Sequence, residues 1–256
     1  MTGTDDVRAR IEFPRGGRRS GRPTRLATVV VEELAERIIG GSRAEGDVLP
    51  TEDALCREFG FSRTVMREGL KLLEERGLIR VEQGRGTTVQ PRVAWNLLDP
   101  DVLRIALEYD RDLVLLDDLI AVRRLLEGEM ARAAAGRLSE SDLAELADHV
   151  ERMADAINDY DEFRRQDLAF HATLMRASGS EIGCTIVRTI HLYAGATPRL
   201  SLPGSRRSLE HTVEEHRGIL EALRARDGNL AAERVASHIT SAWAERRVVA
   251  TARHAS

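Results

Sequence analysis

The 256-residue chain has a single lysine, Lys71, among 38 basic residues. Arginine fills even the positions that would face solvent, which reads as a bias of genome composition. Aromatic residues are only 4% of the chain, while leucine, alanine, glutamate and arginine abound, a mixture that favours helix. Two cysteines, Cys56 and Cys184, stand far apart without CxxC spacing. That excludes a disulfide framework and leaves two reduced, small core side chains. No run approaches 18 apolar residues, and the N-terminus lacks the apolar stretch of a signal peptide. No membrane partner is therefore expected, and the cytoplasm is the expected compartment. HExxH, GxSxG, Walker and full GxGxxG patterns are all missing, which removes the common hydrolase and nucleotide-binding signatures.

The formal net charge of −4 argues against a nucleic-acid partner until it is divided along the chain. Residues 1–92 hold 17 basic and 15 acidic residues, and the excess of acid lies in the remainder. Arg8, Arg10, Arg15, Arg18, Arg19, Arg22 and Arg25 form a basic arm. Such an arm has the composition of a solvated tail and equally of a phosphate-binding extension.

Residues 1–23, rich in Gly, Pro and Arg, are expected to be a disordered arm. A helical pattern starts at Thr24, with Leu26, Val30, Leu34 and Ile38 spaced by four, and stops at Gly40-Gly41. "SRAEGDVLP" reads as a loop. Thr51 caps a short helix over 52–59, Gly60 turns the chain, and Ser62 caps a second helix to about Arg76. "LIRVE" and "TTVQ" around "QGRG" predict a hairpin. The expected divisions are an arm (1–23), a first domain (24–91), a linker with a short helix (92–112) and a helical domain (113–250). Within the last, helical periodicity runs over 113–136, 140–157, 160–178, 181–198, 206–226 and 228–249, with Gly136, Gly179, Pro203-Gly204 and Asp227-Gly228 as breaks. The predicted fold is mainly α: a winged helix-turn-helix followed by an all-helical antiparallel bundle.

On the 62–76 helix, Met66, Gly69, Leu70 and Leu73 share one face, while Arg63, Thr64, Arg67 and Lys71 share the opposite arc. A solvated charged face is one reading of that arc. The other comes from the order helix, tight turn, helix, hairpin, in which the start of the second helix enters a major groove. There Arg63 and Arg67 suit guanine O6 and N7, and Ser62 and Thr64 suit phosphates. Arg85 at the hairpin tip suits a minor groove, with Gly84 and Gly86 letting the backbone approach closely.

The stretch "LPTEDALCREFGFSRTVMREGLKLLEERGLIRVEQGRGTTV" resembles the winged helix-turn-helix signature of the GntR family of bacterial transcription regulators. The resemblance rests on Leu49-Pro50, Glu52, Leu55, Ser62-Arg63-Thr64, Arg67-Glu68, Leu70, Leu73, Gly77-Leu78, Gly84, Gly86 and Thr87. It implies base reading by Arg63 and Arg67, a phosphate contact at Thr64 and a wing role for Arg85. Many members carry Arg where this chain has Asp53, which removes the phosphate contact implied there; Arg57, one turn later, is expected to compensate in part.

In the helical part, Asp167 and His171 in "DLAFH" lie four apart on one helix face, and His216 and His238 follow on two later helices. These four side chains could converge on a metal in a bundle core, or be satisfied core residues beside Phe170 and Leu220. His149, His191, His211 and His254 show that the chain uses histidine freely. "VRRLLEGEMARAAA", "QDLAFHATLMRASGS", "EEHRGILEAL" and "AAERVASHI" resemble the FCD domain, the effector-binding domain of the FadR branch of the same family. This resemblance implies one divalent metal on Asp167, His171, His216 and His238, with Ser180 departing from the family's usual Asn. Zinc is the first choice, and nickel or manganese also suits. A carboxylate or α-hydroxycarboxylate can chelate such an ion, and "WNLLDPDVL" resembles members that respond to sugar acids. Arg123 either faces the pocket as an effector contact or pairs with Glu127 in its own helix. The resemblance also implies a homodimer on a palindromic stretch of double-stranded DNA.

The leading expectation is thus a ligand-controlled repressor that is not an enzyme. Its rivals are a metal-dependent hydrolase or lyase fused to a DNA-binding module, and a DNA-binding protein of nucleoid type with no sensing role.

Overall fold

A computed structural model describes residues 25–82, 84–196 and 205–252. The basic arm, Gln83 of the hairpin turn, the Pro203-Gly204 break and His254 lie outside them. The chain divides into two compact units between Asn96 and Leu97.

The first unit begins with α1 (Arg25–Ile39), whose buried stripe is Ala27, Val30, Val31, Leu34, Ala35 and Ile38. Leu26, expected on that stripe, is exposed. Steps of four advance about 40° beyond a full turn, so a row of four-spaced residues drifts off the face, and Ala27 takes Leu26's place. α2 (Glu52–Phe59) is capped by Thr51, whose side chain accepts from the Ala54 N–H, and ends at Gly60 with a left-handed φ of 71°. That backbone is cheap only without a Cβ, so glycine makes the tight turn. Ser62 caps α3 (Arg63–Glu75), which buries Met66, Gly69, Leu70 and Leu73 as the periodicity predicts. α1 and α3 pack closely: a Cβ on Gly69 would stand 2.6 Å from Val30 Cγ1.

Strands β1 (Ile79–Glu82) and β2 (Gly86–Val89) pair antiparallel, with Ile79 opposite Val89 and Glu82 opposite Gly86. The segment before α2, expected as a plain loop, joins this hairpin. Val48 bridges Thr88, the Leu49 N–H donates to Thr87 O at 2.8 Å, and the Val89 N–H donates to Asp47 O at 2.9 Å. A single bridge leaves no alternating pattern in the sequence, so only the pairing reveals it. The chain then stays on this unit through Asn96, whose N–H donates to Arg76 O.

The second unit opens with α4 (Pro100–Glu108), started by Asp99 as cap and Pro100 in the first turn. Next come α5 (Val114–Ala135), α6 (Glu140–Asp155), α7 (Tyr160–Ala177), α8 (Glu181–Ala196), α9 (Arg206–Arg224) and α10 (Gly228–Ala252). Each helix expected from periodicity is present. Their starts are written in short polar residues: Ser139 and Asp142 make a reciprocal capping box on α6, Asp159 caps α7 and Ser205 caps α9. α5 packs along α10, α6 against α7 and α9, and α4 against α8 and α5. Leu146, Met153, Phe170, Leu174, Ile219, Leu223 and Val235 fill the core between them. Among the described residues no helix is long and apolar enough to cross a membrane.

Candidate metal centre and nucleic-acid interface

One turn of α7 separates Asp167 from His171, so both project toward α9 and α10, which supply His216 and His238. One ligand atom from each of the four lies within 4.8 Å of all the others. His216 Nε2 is 3.2 Å and His171 Nε2 3.9 Å from Asp167 Oδ1. The His216 ring is 4.4 Å from that of His238, centre to centre, and Phe170 meets it edge-on at 4.7 Å.

The far nitrogens of two of the rings are already hydrogen-bonded. His216 Nδ1 lies 2.8 Å from Thr212 O, and His238 Nδ1 lies 2.8 Å from Glu215 Oε2. His171 Nδ1 faces Glu127 Oε2 at 2.9 Å, an ion-pair distance but off-line for a hydrogen bond. With Nδ1–H donated outward, Nε2 keeps its lone pair for the centre. His216 Nε2 is buried with no hydrogen-bond partner among the described residues. An orphan of that kind is costly unless something binds it, and a carboxylate with three imidazoles is a donor set that suits divalent transition metals. The cluster therefore fits a metal ion.

Electrostatics keep the set ready. Burial alone would raise the Asp167 carboxyl, but the three imidazoles packed around it, His216 foremost at 3.2 Å, outweigh it and hold it well below its ordinary range. Burial, with His216 alongside, pushes His238 down to about 4, so it is neutral at physiological pH. Burial also opposes charge on His171, yet Glu127 and Asp167 raise it. Glu127 itself sits well below its ordinary value: burial works against its ionisation, and Arg123, His171 and His191 prevail.

Glu127 is the residue that the sequence reading passed over as more than a salt-bridge partner. It is fully buried and ties together Arg123 Nε at 2.7 Å, His171 Nδ1 at 2.9 Å and His191 Nε2 at 3.0 Å. The visible signal was a carboxylate on the same helical face as Met130, Ala131 and Ala134. Glu215, directly before His216 in sequence, is the second. Of the histidines set aside as ordinary, His191 belongs to this cluster, its ring 5.8 Å from that of His171. His149 instead bonds Gln166, and His211 is exposed. Arg123 makes the ion pair with Glu127.

In the first unit, α3 turns Arg63, Thr64, Arg67 and Lys71 outward. Ser62 Oγ is engaged as the cap, accepting from Val65 N–H at 3.4 Å. Arg57 is exposed on α2, and Arg85 is exposed at the hairpin tip between Gly84 (φ 81°) and Gly86 (φ 94°). The two α3 arginines carry partners the sequence reading did not foresee. Arg67 Nε bonds both oxygens of Glu52, at 2.9 and 3.0 Å, and Arg63 Nη2 is 2.9 Å from Asp53 Oδ1.

Residues 26–89 match the family of bacterial regulatory proteins named gntR, and residues 118–241 match the FCD domain. The galactonate operon transcriptional repressor of Escherichia coli (strain K12) is 32% identical over 212 residues, which are 83% of this chain and 93% of that protein. The chain belongs to the GntR family. It is a DNA-binding transcription regulator with an FCD effector domain, not the enzyme that the sequence left as a rival. Another GntR relative, the Glc operon transcriptional activator of the same strain, is 35% identical over 162 residues, 61% of this chain and 62% of that protein. The solved structure of Lar, which controls the expression of the Listeria monocytogenes agr system, shares the fold. It superposes with a TM-score of 0.54 at 18% identity, over 89% of this chain and 99% of that one.

Proposed function

We propose that this GntR regulator is a homodimeric repressor whose grip on a palindromic operator is set by a small carboxylate, a sugar acid in particular, bound at a metal ion in the FCD domain. The observation that carries this reading is the convergence of Asp167, His171, His216 and His238, with His216 Nε2 left unsatisfied. Zinc is the favoured ion. When bound, it supplies positive charge and open coordination positions to a carboxylate or α-hydroxycarboxylate. The chain's own residues do the rest. Glu215 and the Thr212 carbonyl orient two of the rings, and Arg123, anchored by Glu127, neutralises the far end of the effector. The galactonate relative supports both the sugar acid and the sense of the response.

On the DNA side, Arg63 and Arg67 read bases in the major groove, Ser62, Thr64 and Arg57 face phosphates, and Arg85 enters the minor groove between Gly84 and Gly86. The stretch from Asn96 to Pro100 is the joint between the units. An effector changes DNA affinity only by binding one arrangement of the paired units more tightly than another.

The test is a His216→Ala/His238→Ala double variant, checked for helical content and analysed for metal. It should lose the ion and, in a gel shift on the chain's own upstream DNA, lose its response to added sugar acids while still binding without them. Retention of one ion per chain would refute the ligand set. Loss of the ion with an intact response would refute the coupling.

A further inference from the structure

The recognition arginines of α3 are not bare in the DNA-free protein: each meets a carboxylate from the first turn of α2. The two pairings differ in which nitrogen they use. Glu52 takes Arg67 by Nε, at 2.9 and 3.0 Å to its two oxygens. That bond does not use the two terminal nitrogens, which together can face O6 and N7 of a guanine end-on. Asp53 instead sits 2.9 Å from Nη2 of Arg63, a terminal nitrogen that a two-pronged base contact needs. Both carboxylates also place negative charge on the surface that must approach a polyanion.

We propose that the first turn of α2 sets the DNA discrimination of this chain: Asp53 is a competitor that a base must displace from Arg63, and Glu52 is a positioning residue that aims Arg67. The proposal rests on the reading of α3 as the DNA-facing helix. An exposed ion pair contributes little net stability, so a bidentate contact with the right base displaces Asp53. A single contact with a phosphate gains too little over the pair it would replace, and the freed carboxylate is then repelled by the backbone. Asp53 therefore penalises sequence-independent attachment more than cognate binding. Glu52 acts in the same direction by another route, fixing a flexible side chain before the base arrives, which lowers the ordering cost of the specific contact.

The experiment uses the full chain and two duplexes: one of random sequence, and one selected from a random pool by the wild-type protein. Anisotropy titrations at several salt concentrations compare Asp53→Asn, Glu52→Gln, Arg63→Ala and Arg67→Ala, with melting temperatures as a check on folding. Asp53→Asn should bind the random duplex about 3–10-fold tighter, as the loss of one repelling charge implies. It should gain less on the selected duplex, so that its discrimination falls. Glu52→Gln should lose discrimination through weaker binding to the selected duplex, with the melting temperature unmoved. If Arg63→Ala weakens binding but Asp53→Asn leaves the random duplex unchanged or weaker, the role given to Asp53 is wrong. A Glu52→Gln variant with wild-type discrimination overturns the positioning role. Should neither arginine variant weaken either duplex, the failure lies in the reading of α3 itself, and the proposal falls with it.

Discussion

On α3, Arg63 and Arg67 leave 69% and 71% of their side chains exposed, and each is held by one carboxylate. In the bundle, His171 and His238 are at most 5% exposed, and His216 and Glu127 are wholly buried. The same kinds of ion pair therefore stand under opposite conditions. Exposed pairs exchange partners at little cost because water and salt screen them. A buried set has no such substitute, so every lone pair and proton in it must find a partner or be left stranded. The ion pairs on α3 are built the first way, and the cluster in the bundle is built the second.

Variants can break this contrast or sharpen it. The largest effect should come from Glu127→Ala, which strands Arg123, His171 and His191 together. A loss of about 3–5 kcal/mol in denaturant unfolding is expected for removing one side of a buried pair. A loss below about 1 kcal/mol would mean that the bundle centre behaves like the surface. Glu215→Gln keeps an acceptor for His238 but removes the charge behind it. Metal affinity, measured against a competing chelator, should fall about 10–100-fold; an unchanged affinity would detach Glu215 from the site. Arg67→Ala should cost about 1–3 kcal/mol on a selected operator with little change in unfolding, and a matching loss of stability would mark it as structural.

The smallest effect should be at Asp117, which accepts from Trp243 Nε1 at 2.7 Å and from Arg247, joining α5 to α10 at the surface. Its hydrogen bond with Arg247 holds the carboxyl below its ordinary 3.8. A folded value below the unfolded one stabilises the fold above about pH 3.8 and loses that contribution as pH falls through the folded value. Asp117→Asn should therefore cost no more than about 1 kcal/mol at pH 7. The difference from wild type should shrink in acid, read by melting at both pH values. A difference that persists in acid would show that packing, not charge, holds this pair of helices.

Periodicity and end signals made the helices legible. Ser139, Asp159 and Ser205 announce their caps locally, and Met66, Gly69, Leu70 and Leu73 declare a face within a single helix. The Asp/His cluster was half legible, since Asp167 and His171 share a turn while His216 and His238 meet them only through tertiary packing. What stayed hidden was the second layer. The partnership of Glu127 with His191 spans 64 residues, and that of Glu52 with Arg67 spans 15, distances at which no helical period relates two side chains. The bridge at Val48 stayed hidden for a different reason, because it is defined wholly by its partner.

That bridge has a mechanical result. The Val48–Thr88 bridge and the Leu49-to-Thr87 hydrogen bond lie only two or three residues before Thr51, which starts α2. The hairpin is thus tied by backbone hydrogen bonds to the segment that leads into α2. If α3 and Arg85 enter adjacent grooves, as proposed, a poorly matched duplex has to bend or change groove width to meet both, and the stiffness of base steps that the protein never touches then contributes to selection.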